Sequence, residues 1–409
     1  MIGLGYIGLP SAALMASRGL RVIGVDTDGR VVDTVNAGRI HIIEPGLAGL
    51  VRDVVARGLL IAHAAPHPAD AFIITVPTPL TADRRPMLDH VHAATDAIAP
   101  VLKAGDVVIL ESTSPVGTTG RLAARLAALR PDLTIPGDVA IAYCPERVIP
   151  GRTLEELVRN DRCVGGLTPA CAERATAIYR HFVQGAVLQT DAATAELVKL
   201  AENSFRDVNI AFANELSLVA DRHGIDVWEV IRMANRHPRV NILKPGPGVG
   251  GHCIAVDPWF IVDSAPEEAR LIRTAREVND HKAEWVYERV AAAARAAPEA
   301  PITCLGLAFK ADVDDLRESP ALAIAERLAH AFPGRVAVVE PHIEAPPAAL
   351  AAPLIPLEQA LRRGGILVLL VDHADFSRIP TGRLAGATIV DTRGLWSRGG
   401  SATADPRDA

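Results

Sequence analysis

The chain begins MIGLGYIGLPSAALMASRGLRVIGVD, and its third to eighth residues spell Gly3-x-Gly5-x-x-Gly8. No other feature constrains the fold as strongly. In such a turn the first glycine permits a tight bend out of a strand. The second lets backbone approach a pyrophosphate, and the third lets the next helix pack close to the sheet. That helix would then present its N-terminal N–H groups and positive dipole end to phosphates. The strand-like RVIGVD follows and ends at Asp26, 18 residues after Gly8. An acid there accepts hydrogen bonds from an adenosine ribose and disfavours a 2′-phosphate, so NAD is expected rather than NADP. The plain alternative is an ordinary strand–helix turn. Only Met1 and Ile2 precede Gly3, whereas a mid-sheet strand has about 5–6 residues. The natural start is therefore expected about 5–10 residues upstream.

The rest of the chain extends this pattern twice. AFIITVP, DVVILES, DVAIAYCP and DRCVGG are short β-rich runs, most followed by Ala-rich helical stretches, which predicts βαβ units and a parallel sheet. From about residue 190, TAELVKLAENSFRDVNIAFANELSLVADRHGI reads as one long amphipathic helix ending at Gly224. The Gly/Pro loop KPGPGVGGHCIAVDP and a second helical run, EARLIRTAREVNDHKAEWVYERVAAAARAA, come next. After the linker-like APEAP, the runs ITCLGLAF, RVAVVEP, GILVLLVD and ATIVDTRG restore strand–helix alternation. At 409 residues the chain exceeds what one core serves. The expected domains are 1–188 (Rossmann, first strand shortened), 189–297 (helical), 298–396 (Rossmann-like α/β) and 397–409 (disordered tail). A net charge of −6 gives no reason to expect nucleic acid or anionic membrane as partner. No apolar run reaches the roughly 18 residues of a span, and no leader pattern is present, so cytoplasm is the expected location.

Five cysteines form no CxxC pair and no metal-like Cys/His spacing, and no metal is expected. Cys144, Cys163 and Cys304 lie in strand-like contexts and Cys171 in a helical one, so these four read as small core residues. Cys253 follows two glycines in GPGVGGHC, where bare backbone would let a ligand come close to an exposed thiol. His252 and Lys199 could favour its thiolate. A buried loop cysteine is the competing reading. Lys199 is one of only five lysines among 42 basic residues, and Asn203 follows it at i+4, on one helix face. An ammonium and an amide so placed could hold an oxyanion, although a solvated Lys and a surface Asn would fit the same spacing. Asp257, and Glu146 in YCPERVIPG, are candidate bases.

GLGYIGLP, ESTSPVGTT, YCPERVIPG, ELVKLAENSFRDVNIAFANEL, GPGVGGHCIAVDP and GLAFKADVDDLRESP occur in this order along the whole chain, which on them resembles the UDP-glucose/GDP-mannose dehydrogenase family. SFRDVNIAFANELS and GGHCIAVDPWFIV look like its branch for UDP-N-acetylhexosamines, and Val256 stands where the UDP-glucose enzymes carry Lys. The resemblance implies oxidation of a sugar C6 alcohol to a carboxylate with two NAD⁺. UDP-N-acetyl-D-mannosamine is the expected substrate, with UDP-GlcNAc or UDP-GalNAc as alternatives. By motif match Cys253 would trap the aldehyde and form a thioester, Lys199 and Asn203 would stabilise oxyanions, Asp257 would handle protons or orient water, and Glu146 would assist hydrolysis. NAD would meet Gly3, Gly5, Tyr6, Ile7, Gly8, Asp26, Thr78 and Thr113, the last near nicotinamide and water. The substrate set would be Glu146, Arg147, Lys199, Asn203, Arg206, Gly250, Lys310, Arg317 and Arg393, with Arg239 reaching a neighbouring subunit's sugar nucleotide in a homodimer. More remote readings are a two-electron hydroxyacid dehydrogenase and a non-catalytic nucleotide-binding module.

Overall fold

A computed structural model describes residues 1–149, 151–251 and 253–396. Pro150, His252 and the 397–409 segment lie outside the described residues, and with them the expected tail and the expected influence of His252. By compactness the chain divides into two units, one of residues 1–202 and 259–265, the other of 203–258 and 266 onward.

The first unit is built on one sheet. Its strands are β1 (Val22–Val25), β2 (Leu60–His63), β3 (Ala71–Ile74), β4 (Val107–Leu110), β5 (Ala140–Tyr143), β6 (Arg162–Gly166) and β7 (Val187–Asp191). Its helices are α1 (Gly8–Ser17), α2 (Gly29–Asn36), α3 (Leu47–Ala56), α4 (Asp89–Ile98), α5 (Thr118–Leu129), α6 (Thr153–Arg159) and α7 (Pro169–Tyr179). β1 pairs with β2, and β3 through β7 pair in sequence order. Met1–Gly3 fill the slot between β1 and β3. Ile2 bridges Val25 on one side and Ile74 on the other, Val25 N–H donates to Met1 O, and Thr75 N–H donates to Ile2 O. The short opening thus occupies the position of a central strand. Two apolar layers pack on opposite faces, one around Leu4, Leu9, Leu47 and Ile109, the other around Ile74, Val108, Leu110 and Ile141.

In one respect the sheet departs from the parallel expectation: β6 runs antiparallel to β5. The chain returns from β5 through a loop and the short α6 instead of crossing over a full helix. The amino end of β6 therefore lies at the edge where β4 and β5 have their carboxyl ends, the edge at which open α/β sheets bind ligands.

α8 (Ala192–His223) spans both ranges, and the second unit adds α9 (Val227–Ala234), α10 (Asp257–Ser264, shared with the first) and α11 (Arg270–Ala296). Its sheet comprises β8 (Ile302–Leu305), β9 (Val336–Val339), β10 (Ile366–Leu369) and β11 (Thr388–Asp391), all parallel, in the order β11-β10-β8-β9. α12 (Pro320–Ala331), α13 (Leu357–Arg363) and α14 (Ala374–Ser377) complete it. Val286, Val290 and Ala294 of α11 join the apolar layer on one face of this sheet. Between α8 and α11 lies a buried polar ladder. Arg276 Nη1 donates to Asp207 Oδ1 at 2.7 Å, Asn279 Nδ2 to the same oxygen at 2.8 Å, and Asn214 Nδ2 to Asn279 Oδ1 at 2.8 Å. Among the described residues no helix is long and apolar enough to cross a membrane.

Candidate active site

In the first unit the glycine turn has the geometry its spacing predicts. Gly3 takes φ +95°, in the left-handed region that favours glycine. A Cβ on Gly8 would meet Gly3 O at 1.9 Å, so the third glycine is required for close packing of α1. A Cβ on Gly5 would meet nothing within 4 Å, which leaves open space where the backbone would approach a diphosphate. The first turn of α1 carries no acidic residue to oppose one. Asp26 follows β1, half-buried, and its Oδ2 accepts from Leu4 N–H at 3.0 Å while Oδ1 accepts from Asp28 N–H at 3.0 Å. A carboxylate has about four lone-pair sites, so two remain for ribose hydroxyls. These residues fit NAD. Tyr6 is exposed beside the turn. Past β3 and β4, Thr78 Oγ1 donates to Thr113 O at 2.7 Å, which ties together the two threonines expected at the nicotinamide end.

Glu146, three residues past β5, is buried. Its Oε2 accepts from Arg162 Nη1 at 2.7 Å, and its Oε1 from Arg147 N–H at 2.6 Å. Arg147 is itself engaged, with Nη1 on Glu202 at 2.7 Å and Nη2 on Asp161 O. With these contacts it braces the loop after β5. Lys199 is buried on α8, with Asn203 one turn on and the exposed Arg206 a further turn along that face.

In the second unit Cys253 is exposed, unlike Cys144, Cys163, Cys171 and Cys304, all buried. Burial pushes the Cys144 and Cys304 thiols up to about 12. Cys253 O accepts from Asp257 N–H at 2.8 Å, which opens α10, and Asn203 Nδ2 donates to Asp257 Oδ2 at 2.5 Å. Cys253, Asp257 and Asn203 are thereby held together.

The loop glycines are also packing positions. A Cβ on Gly250 would lie 2.4 Å from Glu318 O, and Gly251, at φ +83°, would meet the Phe309 ring at 3.0 Å. They let the loop press on its own chain at Glu318 and Phe309. The same contacts bring the Cys loop against the segment carrying Lys310 and Arg317, both exposed; Arg317 forms a two-point pair with Asp315 at 2.8 and 2.6 Å. Arg393 Nε donates to Asp372 Oδ1 at 2.8 Å, and its Nη1 reaches Pro245 O at 3.5 Å. Two segments of one unit, that of Lys310 and Arg317 and that of Arg393, thus meet the Gly/Pro loop. Arg239 is exposed. Asp312, His342 and His373 cluster as metal ligands can. However, His373 Nδ1 already accepts from Asp312 N–H at 2.9 Å, and Nε2 faces Glu340 at 3.0 Å, so the cluster anchors a loop.

Sequence reasoning missed Glu111 and Arg162, the buried companions of Glu146. The available signal was an arginine opening the apolar run RCVGG.

Two Rossmann-type units, an NAD-fitting turn and an exposed thiol held beside a carboxylate and an amide define the class: an NAD-dependent oxidoreductase. The UDP-glucose/GDP-mannose dehydrogenase family models match residues 1–183 (NAD binding domain), 193–281 (central domain) and 303–398 (UDP binding domain). The chain belongs to this family and has its three-domain architecture of Rossmann, helical and Rossmann-like domains. It is 58% identical over 404 residues to an NDP-N-acetyl-D-galactosaminuronic acid dehydrogenase of Ralstonia nicotianae, covering 97% of this chain and 96% of that one. It is 55% identical over 412 residues to a UDP-N-acetyl-D-mannosamine dehydrogenase of Escherichia coli, covering 97% and 98%. A solved UDP-D-ManNAc dehydrogenase from Pyrococcus horikoshii superposes with a TM-score of 0.89 at 38% identity, covering 96% of this chain and 94% of that one.

Proposed function

We propose that the protein oxidises the C6 alcohol of a UDP-N-acetylhexosamine to the uronate through a covalent intermediate on Cys253. The observation that carries this reading is the placement of Cys253, the one exposed cysteine among the described residues, with Asp257 and Asn203 on a loop packed against the segment of Lys310 and Arg317. NAD, when bound, accepts a hydride in each of the two oxidations. The chain's own groups do the rest. Cys253 Sγ adds to the C6 aldehyde, giving a thiohemiacetal that loses hydride as an alkoxide does and leaves a thioester. The Lys199 ammonium and the Asn203 amide stabilise the oxyanions, Asp257 orients Asn203 and moves protons, and Glu146 orients the water that hydrolyses the thioester. Thr113 and Thr78 fix the backbone at the nicotinamide end. The cationic Lys310, Arg317 and Arg393 suit a pyrophosphate.

The relatives' names divide between sugars. The 58% relative carries the galacto name and the 55% relative the manno name, which favours a UDP-N-acetylhexosamine of either configuration over the manno epimer alone. A two-electron hydroxyacid oxidation would leave the UDP binding domain, matched at 303–398, without a use. A stripe at every seventh residue of α8, Phe205, Phe212 and Val219, is exposed at 73%, 57% and 50%, and supports pairing of two copies through this helix. The test is NADH formation on UDP-ManNAc, UDP-GalNAc, UDP-GlcNAc and UDP-glucose side by side. Turnover of an N-acetylhexosamine well above UDP-glucose is expected, because a polar group moved against a fixed donor–acceptor set is strongly rejected. Preference for UDP-glucose would overturn the reading.

A further inference from the structure

The antiparallel return of β6 has an electrostatic consequence at the ligand edge of the first sheet. It inserts Arg162, with a side chain 3% exposed, between two carboxyl groups, Glu146 after β5 and Glu111 after β4. Nη1 is 2.7 Å from Glu146 Oε2 and 3.4 Å from Glu111 Oε1. The Tyr179 ring lies 5.4 Å from the guanidinium, and the Arg162 Nε and Nη2 atoms have no hydrogen-bond partner among the described residues. One buried cation cannot offset two buried anions, so one carboxyl must hold a proton. Glu146 has the shorter contact and a second charge-stabilising bond from Arg147 N–H, which makes it the anion. Burial, first, and then the neighbouring Glu146 charge raise Glu111 well above the usual carboxylate range against the pull of Arg162. Cys144 and the Tyr179 hydroxyl, the other titratable groups facing the cluster, are raised by burial and remain neutral.

A purely structural ion pair would need only one of these acids. The second costs stability wherever it ionises, and it stands two residues before Thr113, on the loop that also receives Thr78 Oγ1. We propose that Arg162 and Glu111 are positioning residues for Glu146: the guanidinium fixes the Glu146 carboxylate, and the uncharged Glu111 leaves that guanidinium to Glu146 alone. This rests on the reading above, in which Glu146 orients the hydrolytic water. In that step the water oxygen bonds to the acyl carbon, and the carbon–sulfur bond breaks with its electron pair on Cys253 Sγ. One water proton restores the thiol, and the other leaves to solvent as the uronate ionises. A Glu146 carboxylate released from Arg162 would misplace the water. Ionisation of Glu111 in alkaline solution would have the same effect, by setting a second anion on the same guanidinium.

The test uses the full chain with saturating NAD⁺ and the UDP-N-acetylhexosamine that the wild type turns over. Rapid quench and mass spectrometry follow the Cys253 adduct in Glu146→Gln, Arg162→Lys and Glu111→Gln. Arg162→Lys is expected to lose about a hundred-fold in steady-state rate, the cost of misplacing a reacting group by about 1 Å. Its first-turnover NADH should persist while the adduct accumulates, as in Glu146→Gln. Glu111→Gln has two readouts. Wild-type turnover should decline as pH rises through about 8, and Glu111→Gln should not share the decline. Melting should follow the same split: a carboxyl raised in the fold gives up stability as pH climbs from the ordinary carboxylate range through its folded value, and Gln removes that loss. If Glu146→Gln traps nothing, the reading of Glu146 falls and the proposal with it. If it traps and Arg162→Lys turns over like wild type without adduct, the proposal alone falls. Should Arg162→Lys fail to fold, the Glu111→Gln profiles decide, and parallel decline of wild type and variant overturns the proposal.

Discussion

Cys253 and Cys144 carry the same thiol in opposite surroundings. Cys144 is sealed behind β5, where burial holds its proton, whereas Cys253 stands exposed at the head of α10. Alkylation of the folded protein with iodoacetamide, mapped by mass spectrometry, should therefore label Cys253 and spare Cys144, Cys163, Cys171 and Cys304. Labelling of the buried four at a matching rate would contradict this. Lys282 is a second residue whose environment sets its behaviour. Its Nζ donates to Ser217 Oγ at 2.6 Å, and burial lowers it from 10.5 to about 8. The unfolded chain then binds more protons than the fold between those two values, so stability contributed by this group rises with pH across that window, by at most about 1.4 kcal/mol per pH unit. Lys282→Met should raise the melting temperature at neutral pH, with the gain shrinking as pH passes about 8 toward 10.5. A gain independent of pH would refute the assignment.

At the scale of elements, SFRDVNIAFANEL is scaffold as much as site. Asp207 and Asn214 face α11, and Asn214 Oδ1 accepts from Gly246 N–H at 2.8 Å, which carries the ladder into the Gly/Pro loop. The Asp207 and Arg276 side chains are 0% and 3% exposed. Asp207→Leu would leave the Nη1 side of the buried Arg276 guanidinium without its acceptor, with only the part-exposed Asp280 on Nη2, and should cost about 3–5 kcal/mol in urea unfolding. A loss no larger than an exposed pair gives, at most about 1 kcal/mol, would count against the ladder. The two α/β units, the long helices and the glycine turn were legible because period, turn residues and strand-ending acids are local signals. β2 and β7 escaped, the first as the short LIAH and the second as the largely exposed VLQTD. The reversal of β6 and the Glu111–Arg162–Glu146 cluster escaped for a different reason. Strand direction is set by what a connection packs against, and three charges separated in sequence carry no common pattern until the sheet aligns them. The loop glycines were legible as a need for close approach, but not as approach to Phe309 and Glu318.

At the scale of the molecule, pairing through α8 predicts a concentration-dependent dimer in sedimentation that Phe212→Asp shifts toward monomer, since an unpaired carboxylate would enter the apolar stripe. An unchanged sedimentation profile would send the interface elsewhere. The central claim is that one active site carries an alcohol through to a carboxylate on Cys253, and it has a direct measure in stoichiometry. With a UDP-N-acetylhexosamine as limiting substrate and hydroxylamine present to trap any aldehyde, NADH and uronate are counted in the same reaction. The account predicts two NADH for each uronate, no trapped oxime, and a loss of uronate by orders of magnitude in Cys253→Ala. One NADH for each sugar, or a Cys253→Ala variant that makes uronate at the wild-type rate, would contradict it.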